Sequence, residues 1–367
     1  MTQTVLADRQ VAWKTAMVIT GVVAAGFVVW ALRGILAPFF LAVFLLLVVD
    51  GLARSLRERI PGFPPKLATP AAICLIVIFF VAMIWIVANN AAQLISQAGG
   101  YEARLNLILR VIAAKLSLHV APTVGGLVNQ LNPAKYAALL AQSVEGIASG
   151  AFVVLLYLAF LIASRGSFAR KSVRIFGDRD ARNEAREIFH RIRDSVGEYV
   201  WVQTVAALLI AVPAGIVMAA IGLDHAVFWA LLIFVASYIP VIGGAVGTTV
   251  PAIFALLQFP NFVQPMIIFA GLQLIGFFVG NIIQPRMQGS ALNLDPVTIF
   301  LALAFWGTLW GITGAFLSTP LTVTAMVILA EFKSTEWIAI LMSGNGKPDF
   351  DTKAKTDAIN GARAGST

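Results

Sequence analysis

Long apolar runs most constrain the fold of this chain, because they recur along most of its 367 residues. A helix needs about 20 apolar residues to cross the hydrocarbon core of a bilayer. A soluble protein of this length could not bury a composition that is 59% apolar and only 12% charged, since much of its surface must face water. The sequence therefore predicts an all-α polytopic membrane protein with about eight membrane segments, at residues 14–33, 34–50, 67–90, 147–164, 199–221, 226–257, 263–284 and 296–330.

The N-terminal run resembles a secretory signal, but we expect a retained span. No small-x-small cleavage site follows it, and apolar sequence resumes directly after Arg33. The first two runs are separated only by Arg33 and Gly34, which predicts a tight helical hairpin. The basic, partly apolar stretch 52–60 behind it predicts a short amphipathic helix that the following prolines end.

The basic residues fall mainly on one side of the predicted membrane. Nine of the 26 Lys and Arg lie between Arg165 and Arg193, and smaller clusters precede the first span and follow the second. Clustered cations beside apolar runs are typical of cytoplasmic loops, so the net charge of +8 does not indicate nucleic-acid binding. We therefore expect both termini in the cytoplasm.

These features divide the chain into five predicted parts. Residues 91–146 hold apolar residues at helical spacing but no run long enough to cross, so we expect amphipathic surface helices broken at Gly99–Gly100 and Pro122. The parts are a helical hairpin with a basic loop (1–66), spans three and four with the extracytoplasmic region 91–146 (67–164), a cytoplasmic basic helix (165–198), a membrane core that holds two long broken stretches (199–333) and a polar, disordered tail (334–367).

Two of the apolar stretches, 226–257 and 296–330, are too long for one straight span and too short for two. Each is broken near its middle, the first at Pro240, Gly243, Gly244 and Gly247, the second at Gly307, Gly311, Gly314 and Pro320. Gly and Pro at such positions also serve close helix packing, so packing alone is an alternative explanation.

The two broken stretches resemble each other at an offset of 70 residues. Gly244–Ala245 corresponds to Gly314–Ala315, and Thr248–Thr249 to Ser318–Thr319, whereas the prolines miss this register by one. If each stretch is a re-entrant hairpin behind one complete span, the two units have inverted topology. Secondary transporters build midplane sites from such inverted repeats.

The same region resembles the autoinducer-2 exporter family of bacterial membrane proteins. The resemblance rests on the segment from Tyr199 to Gln203 and on three motifs, at Ile239–Gly243, at Asn281, Pro285, Arg286, Gly289, Leu294 and Pro296, and at Gly311, Gly314, Pro320 and Leu321. It implies a permease of the bacterial inner (plasma) membrane, a homo-oligomer, and either export of the quorum-sensing signal autoinducer-2 or sodium(lithium)/proton antiport.

The chain departs from the family pattern at two positions. Val279 stands where many members have Glu, which removes an obvious intramembrane proton carrier, and Asp50–Gly51 stands where many have Asn-Pro.

The candidate pathway consists of neutral polar groups and backbone breaks. Such a lining suits a small polar, neutral solute, although its oxygen atoms could also ligate Na⁺. The predicted pathway residues are Gln203, Ser237, Pro240, Gly243, Gly244, Thr248, Thr249, Gln273, Asn281, Gly311, Thr313, Gly314, Ser318, Thr319 and Pro320. Structural or gating roles are expected for Pro285, Arg286, Asp295 and Pro296, with Arg286 and Asp295 placed where they could pair.

No cofactor, metal or catalytic site is expected. Cys74 is the single cysteine, the three histidines show no ligand spacing, and no acid pair falls at membrane depth. Three functions stay open: an exporter of a small polar solute, a cation/proton antiporter, and a non-transporting scaffold whose Arg-rich block binds anionic lipid or a partner.

Overall fold

The computed structural model describes residues 2–115, 133–175, 179–240, 242–288 and 293–347. Regular structure in these ranges is helical, apart from one isolated bridge between Leu294 and Ser343. The helices are α1 Thr2–Ala31, α2 Arg33–Arg59, α3 Pro65–Lys115, α4 Pro133–Ile175, α5 Arg179–Ile221, α6 Ala226–Ala236, α7 Ile242–Gln258, α8 Val263–Phe278, α9 Gln284–Gln288, α10 Pro296–Glu331 and α11 Glu336–Met342. A π-helical turn, Val279–Ile283, joins α8 to α9.

The apolar helices confirm an all-α polytopic membrane protein. Among the described residues, six helices are long and apolar enough to cross a membrane: Arg33–Glu58, Pro65–Asn90, Glu145–Arg165, Ala185–Ile221, Val263–Met287 and Pro296–Glu331. Shorter apolar helices cover Ile19–Ala31, Ala226–Ala236 and Ile242–Gln258.

Several helices run further than the sequence predicts. Helix α2 continues to Arg59 without a separate amphipathic helix, α3 passes through Gly99–Gly100 to Lys115, and α5 joins the basic block to the fifth span. A glycine inside a helix costs only about 1 kcal/mol relative to alanine, so the helix-forming neighbours outweigh two of them. Pro122 lies outside the described residues.

The predicted polar tail begins with an ordered helix. Helix α11 packs against the start of α10, where the Asp295 amide donates to the Met342 carbonyl over 3.0 Å, and Ala339 is fully buried. Burial of this apolar segment explains why it differs from the expected disordered tail. Residues 348–367 lie outside the described ranges.

Polar contacts define two ends of the molecule. At one, which we call the basic end, the Asp50 carboxylate of α2 forms an ion pair with the Arg165 guanidinium of α4 over 2.7 Å. It also lies 3.8 Å from the Arg193 guanidinium of α5. At the other, the far end, the His225 Nδ1 lies 2.6 Å from the Asn90 Oδ1. Helix α5 runs from the basic end to the far end.

Helices α6 and α7 form the first hairpin, residues 226–258. Its two ends meet at the far end, because the Gln258 side chain donates to the Gly222 carbonyl and accepts from the Asp224 amide, both over 2.8 Å. Its turn, which includes residues 237–240, lies deep along α5 beside Gln203. The hairpin therefore returns to the end at which it begins.

Helix α10 consists of two helical arms that form a second hairpin. The chain reverses between them at Gly311, whose φ of 63° and ψ of −141° are not helical. In a straight helix Trp306 and Thr322 would lie about 24 Å apart, yet the Trp306 indole donates to the Thr322 hydroxyl over 3.2 Å. This second hairpin, residues 296–331, begins beside α11 and ends at Glu331, which pairs with Arg191 over 3.0 Å. It therefore begins and ends at the basic end.

The two hairpins meet in the interior. Tyr238, in the turn of the first hairpin, stacks on Phe316 of the second with ring centroids 4.9 Å apart, and Phe44 of α2 packs edge-on against both. Small residues let the surrounding helices approach closely, as expected where packing replaces the hydrophobic effect; Ala42, Ala72, Ala207 and Ala214 are completely buried.

Candidate functional site

A cavity of about 780 Å³ lies between α5, the first hairpin and α8, and also reaches the second hairpin. Its lining extends along α5 from Ala214 to Tyr199, and along α8 from Leu272 into the π turn, in both cases towards the basic end. The lining residues are Tyr199, Gln203, Ile210, Ala214, Ile233, Ser237, Ile239, Pro240, Gly243, Gly244, Gly247, Thr248, Leu272, Gln273, Gly276, Phe277, Gly280, Asn281, Gln284, Asn293, Leu294, Ile299 and Thr319.

The cavity is polar but carries no Asp, Glu, Lys, Arg or His among its described lining residues. Its polar groups are the amides of glutamine and asparagine, hydroxyls, and backbone groups at the turn of the first hairpin. These groups donate and accept hydrogen bonds without a formal charge. They can replace the hydration shell of a small polar molecule, whereas an ion would find no counter-charge among them.

Gln203 links three of the elements around the cavity. Its side-chain nitrogen donates to the backbone carbonyl of Ser237 over 2.5 Å. Its side-chain oxygen accepts from the side-chain amide of Gln284 over 3.0 Å. The next residue, Thr204, donates its hydroxyl proton to the Val200 carbonyl, so the Tyr238 hydroxyl, 2.7 Å away, must be the donor in the pair that these two hydroxyls form.

The π turn has a local cause in the sequence. Pro285 has no amide hydrogen, and in a regular helix its ring would collide with the carbonyl of Asn281, four residues earlier. The helical turn widens instead, and the backbone amide of Gln284 donates to the Val279 carbonyl, five residues back. Single π turns inside α-helices are frequent at functional sites, and this one carries Gly280 and Asn281 in the cavity wall.

The two hairpins place equivalent residues in equivalent environments, but at an offset of 71 rather than 70. Gly243 and Gly314 follow the two turns, and a Cβ on either would collide with the backbone of the opposite arm. Thr248 and Thr319 are the two buried threonines among the described lining residues of the cavity. The Thr319 hydroxyl lies near Tyr199 but outside ordinary hydrogen-bond geometry to any described group.

The structure brings together nine of the predicted pathway residues around the cavity. They are Gln203, Ser237, Pro240, Gly243, Gly244, Thr248, Gln273, Asn281 and Thr319.

The other predicted pathway residues lie elsewhere. Thr249 is exposed and outside the lining. Gly311 forms the turn of the second hairpin, and Thr313 is half-buried beside that turn. Gly314, Ser318 and Pro320 are buried in the packing of its second arm, where the Ser318 hydroxyl donates to the Ala315 carbonyl over 2.8 Å.

The proposed pairing of Arg286 with Asp295 does not form between these described residues. The Asp295 carboxylate instead accepts from the Val297 amide over 2.8 Å and caps α10, with Pro296 at the first position of the helix. The first amides of a helix have no partner within the helix, and this carboxylate satisfies one of them. Pro285 and Arg286 are exposed, and a gating role for any of these residues stays a prediction.

Sequence reasoning left several lining residues out of the predicted pathway. Tyr199 belongs to the motif that supports the family resemblance, and Gln284 is polar within an apolar run, so both carried a usable signal. Leu294 also belongs to one of the family motifs. Asn293 carried no such signal, since it reaches the cavity only through the packing of α10 and α11.

Sequence comparisons relate most of this chain to one family of membrane transporters. The sequence model of the AI-2E family transporter matches residues 19–334. The AI-2 transport protein TqsA of Escherichia coli (strain K12) is 28% identical over 322 residues, 85% of this chain and 90% of TqsA. A Haemophilus influenzae protein whose name gives transport but no solute is 26% identical over 324 residues, 84% of this chain and 90% of that protein.

The family match extends from α1 to the residues just before α11, so it includes both hairpins and every element around the cavity. The protein is therefore a multi-pass membrane protein that belongs to the AI-2E transporter family.

Proposed function

We propose that this protein is a permease of the bacterial inner membrane that moves a small polar, uncharged solute such as autoinducer-2 outward. The observation that carries the proposal is the 780 Å³ cavity, whose described lining holds polar groups from both hairpins and no charged side chain. The similarity to TqsA, named as an AI-2 transport protein, favours a solute of this class.

We infer that both hairpins are re-entrant and form an inverted repeat. Support comes from their geometry, since the first begins and ends at the far end and the second at the basic end. With the basic end in the cytoplasm, the lining that reaches Asn293 and Ile299 corresponds to an inward-facing state. Movement of the hairpins against α2–α4 would then expose the cavity to the other side, which is alternating access.

This orientation is testable by thiol labelling of single-cysteine proteins in a Cys74→Ser background. Asn261→Cys, in the loop after the first hairpin, should react with an impermeant maleimide from outside intact cells. Arg286→Cys should react only in inverted vesicles. Labelling of both positions from the same side would refute the inverted arrangement.

Neither alternative function is favoured by a specific contact. Proton antiport needs a titratable carrier, and Val279 is a buried apolar residue beside the cavity wall. A scaffold would have no use for a polar cavity between two hairpins. Homo-oligomerisation, which the family resemblance implies, is part of our proposal and can be measured by mass photometry in detergent.

Hydroxyl substitutions test the transport site directly. Thr248→Val and Thr319→Val remove one cavity hydroxyl each at nearly constant volume, and Thr249→Val makes the same change at an exposed position outside the cavity. Each cavity variant should weaken uptake of radiolabelled autoinducer-2 into inverted vesicles by about 5- to 30-fold, the effect of losing one or two hydrogen bonds to the solute.

The matched control decides the result. Thr249→Val should transport like the unsubstituted protein. Equal loss in all three variants, or in none, would contradict a solute site in this cavity. Uptake of ribose and of glycerol, measured in the same vesicles, would distinguish transport of autoinducer-2 from transport of other neutral solutes. Uptake of sodium under an imposed sodium gradient would show whether sodium is the transported species.

A further inference from the structure

The network around Gln203 joins the cavity wall at its two irregular points. One of these is the turn of the first hairpin, where Ser237 uses its carbonyl, and the other is the end of the π turn, where Gln284 begins α9. Gln203 is 8% exposed, and its amide uses both its donor and its acceptor in these contacts. A single side chain on α5 thus fixes the distance between two elements that are 47 residues apart in sequence.

The position of this network along α5 gives it control over the cavity. Ile210 and Ala214, on the far-end side of Gln203, line one part of the cavity, and Tyr199, on the basic-end side, lines the other. Seven residues of helix separate Gln203 from Ile210, about 10 Å. The amide network therefore lies between the deep part of the cavity and the part that reaches the basic end.

Several contacts hold the turn of the first hairpin against its neighbours. Its turn is held to α5 by Gln203 and, one residue later, by the hydrogen bond between Thr204 and Tyr238. The Tyr238 ring also stacks on Phe316, so a displacement of the first hairpin disturbs the second. The contact to Gln284 is the one that ties the turn, through Gln203, to α9.

We propose that Gln203 is a positioning residue that sets the width of the passage between the first hairpin and α9, an inference that rests on the transport function proposed above. Opening of the passage breaks the bond between Gln203 and Gln284 or the bond between Gln203 and Ser237. Replacement of Gln203 by leucine removes both bonds. The backbone carbonyl of Ser237 and the side-chain amide of Gln284 then lack these partners. The passage of the variant is then wide for a larger fraction of the time.

The test measures access to the cavity without any solute. In a Cys74→Ser background, Thr248→Cys places a thiol at a buried position of the cavity wall, in the first turns of α7 behind the Gln203 contacts. The full chain is reconstituted in lipid vesicles, and the rate of reaction with N-ethylmaleimide is followed by mass spectrometry. Gln203→Leu should accelerate this reaction about 5- to 30-fold, because two hydrogen bonds that keep the passage narrow are lost.

Gln273→Leu is the matched control, because Gln273 also lines the cavity and makes no hydrogen bond to either turn among the described residues. It should leave the rate within about twofold of the parent. Asn261→Cys, in the loop at the far end, is the reference thiol for general loosening, and its rate should not change with Gln203→Leu.

Gln284→Leu provides a second route to the same contact if Gln203→Leu does not yield folded protein. Gln284→Leu should accelerate the Thr248→Cys reaction at least threefold, and the double variant should react no faster than Gln203→Leu alone, since contacting residues do not act additively. The proposal is overturned if Gln203→Leu and Gln273→Leu give equal rates, or if Asn261→Cys accelerates in parallel. Since no solute is present, a failure of transport leaves this result readable.

Discussion

The reversal of α10 depends on the absence of a side chain at Gly314, which makes Gly314→Ala a sharp test of the second hairpin. A Cβ at this position would overlap the carbonyl oxygen of Trp306, come within 2.7 Å of its carbonyl carbon and lie 2.9 Å from the Trp310 Cβ. Carbon atoms normally approach to about 3.5 Å. The arms would therefore have to separate by roughly 0.8 Å or more, and a backbone carbonyl cannot rotate out of the way.

Gly307→Ala is the matched control on the other arm of the same hairpin. Its Cβ would lie 3.9 Å from the Ala315 Cβ, an ordinary van der Waals contact. Both substitutions gain about 0.5 to 1 kcal/mol of helix propensity, so the difference between them isolates the overlap. Overpacking costs about 1 to 3 kcal/mol, and contact with backbone places Gly314→Ala at the upper limit, which leaves a net loss of about 2 kcal/mol.

The assay is the thermal unfolding midpoint of the purified protein in detergent, compared at one heating rate because unfolding of such proteins is often irreversible. At about 2 °C per kcal/mol for a long chain, Gly314→Ala should lower the midpoint by about 4 °C, whereas Gly307→Ala should leave it unchanged or raise it. Equal midpoints for the two variants would refute the close approach of the arms and with it the reversal at Gly311.

Three further predictions concern the first hairpin, the N-cap of α10 and the ion pair at the basic end. Gly243→Ala should lower the unfolding midpoint while Gly244→Ala should not, because a Cβ on Gly243 would lie 2.6 Å from backbone atoms of the opposite arm and a Cβ on Gly244 meets nothing. Asp295→Ala removes the N-cap of α10 and should cost about 1 kcal/mol in the same assay, with Asp295→Asn close to the parent. Asp50→Ala leaves Arg165 without its 2.7 Å partner; since both side chains are partly exposed, the loss should stay below about 1 kcal/mol and shrink in high salt.

Much of the candidate site was accessible from the sequence because backbone breaks are local. Gly311 and Pro240 interrupt apolar runs, and Pro285 removes one amide hydrogen, so each predicts an irregularity at or near its own position. The structure places a turn at the first two and a π turn just before the third.

The register between the two hairpins was not accessible in this way. The sequence similarity favours an offset of 70, whereas the residues with equivalent contacts, Gly243 with Gly314 and Thr248 with Thr319, are 71 apart. One residue rotates a helix by about 100°, which decides whether a hydroxyl faces the cavity or the packed interior. Ser318, the partner expected from the sequence, is therefore completely buried and bonds to its own helix.

The sequence alone determined that this chain is a helical membrane protein, where its apolar helices lie and which two of them are interrupted, because hydropathy and backbone chemistry act within a few turns of one helix. The tertiary structure decided which polar groups meet. Gln203 finds its partners 34 and 81 residues away, and Asp295 caps its own helix rather than pairing with Arg286. Contacts of this kind depend on the relative rotation of packed helices, which no local pattern specifies.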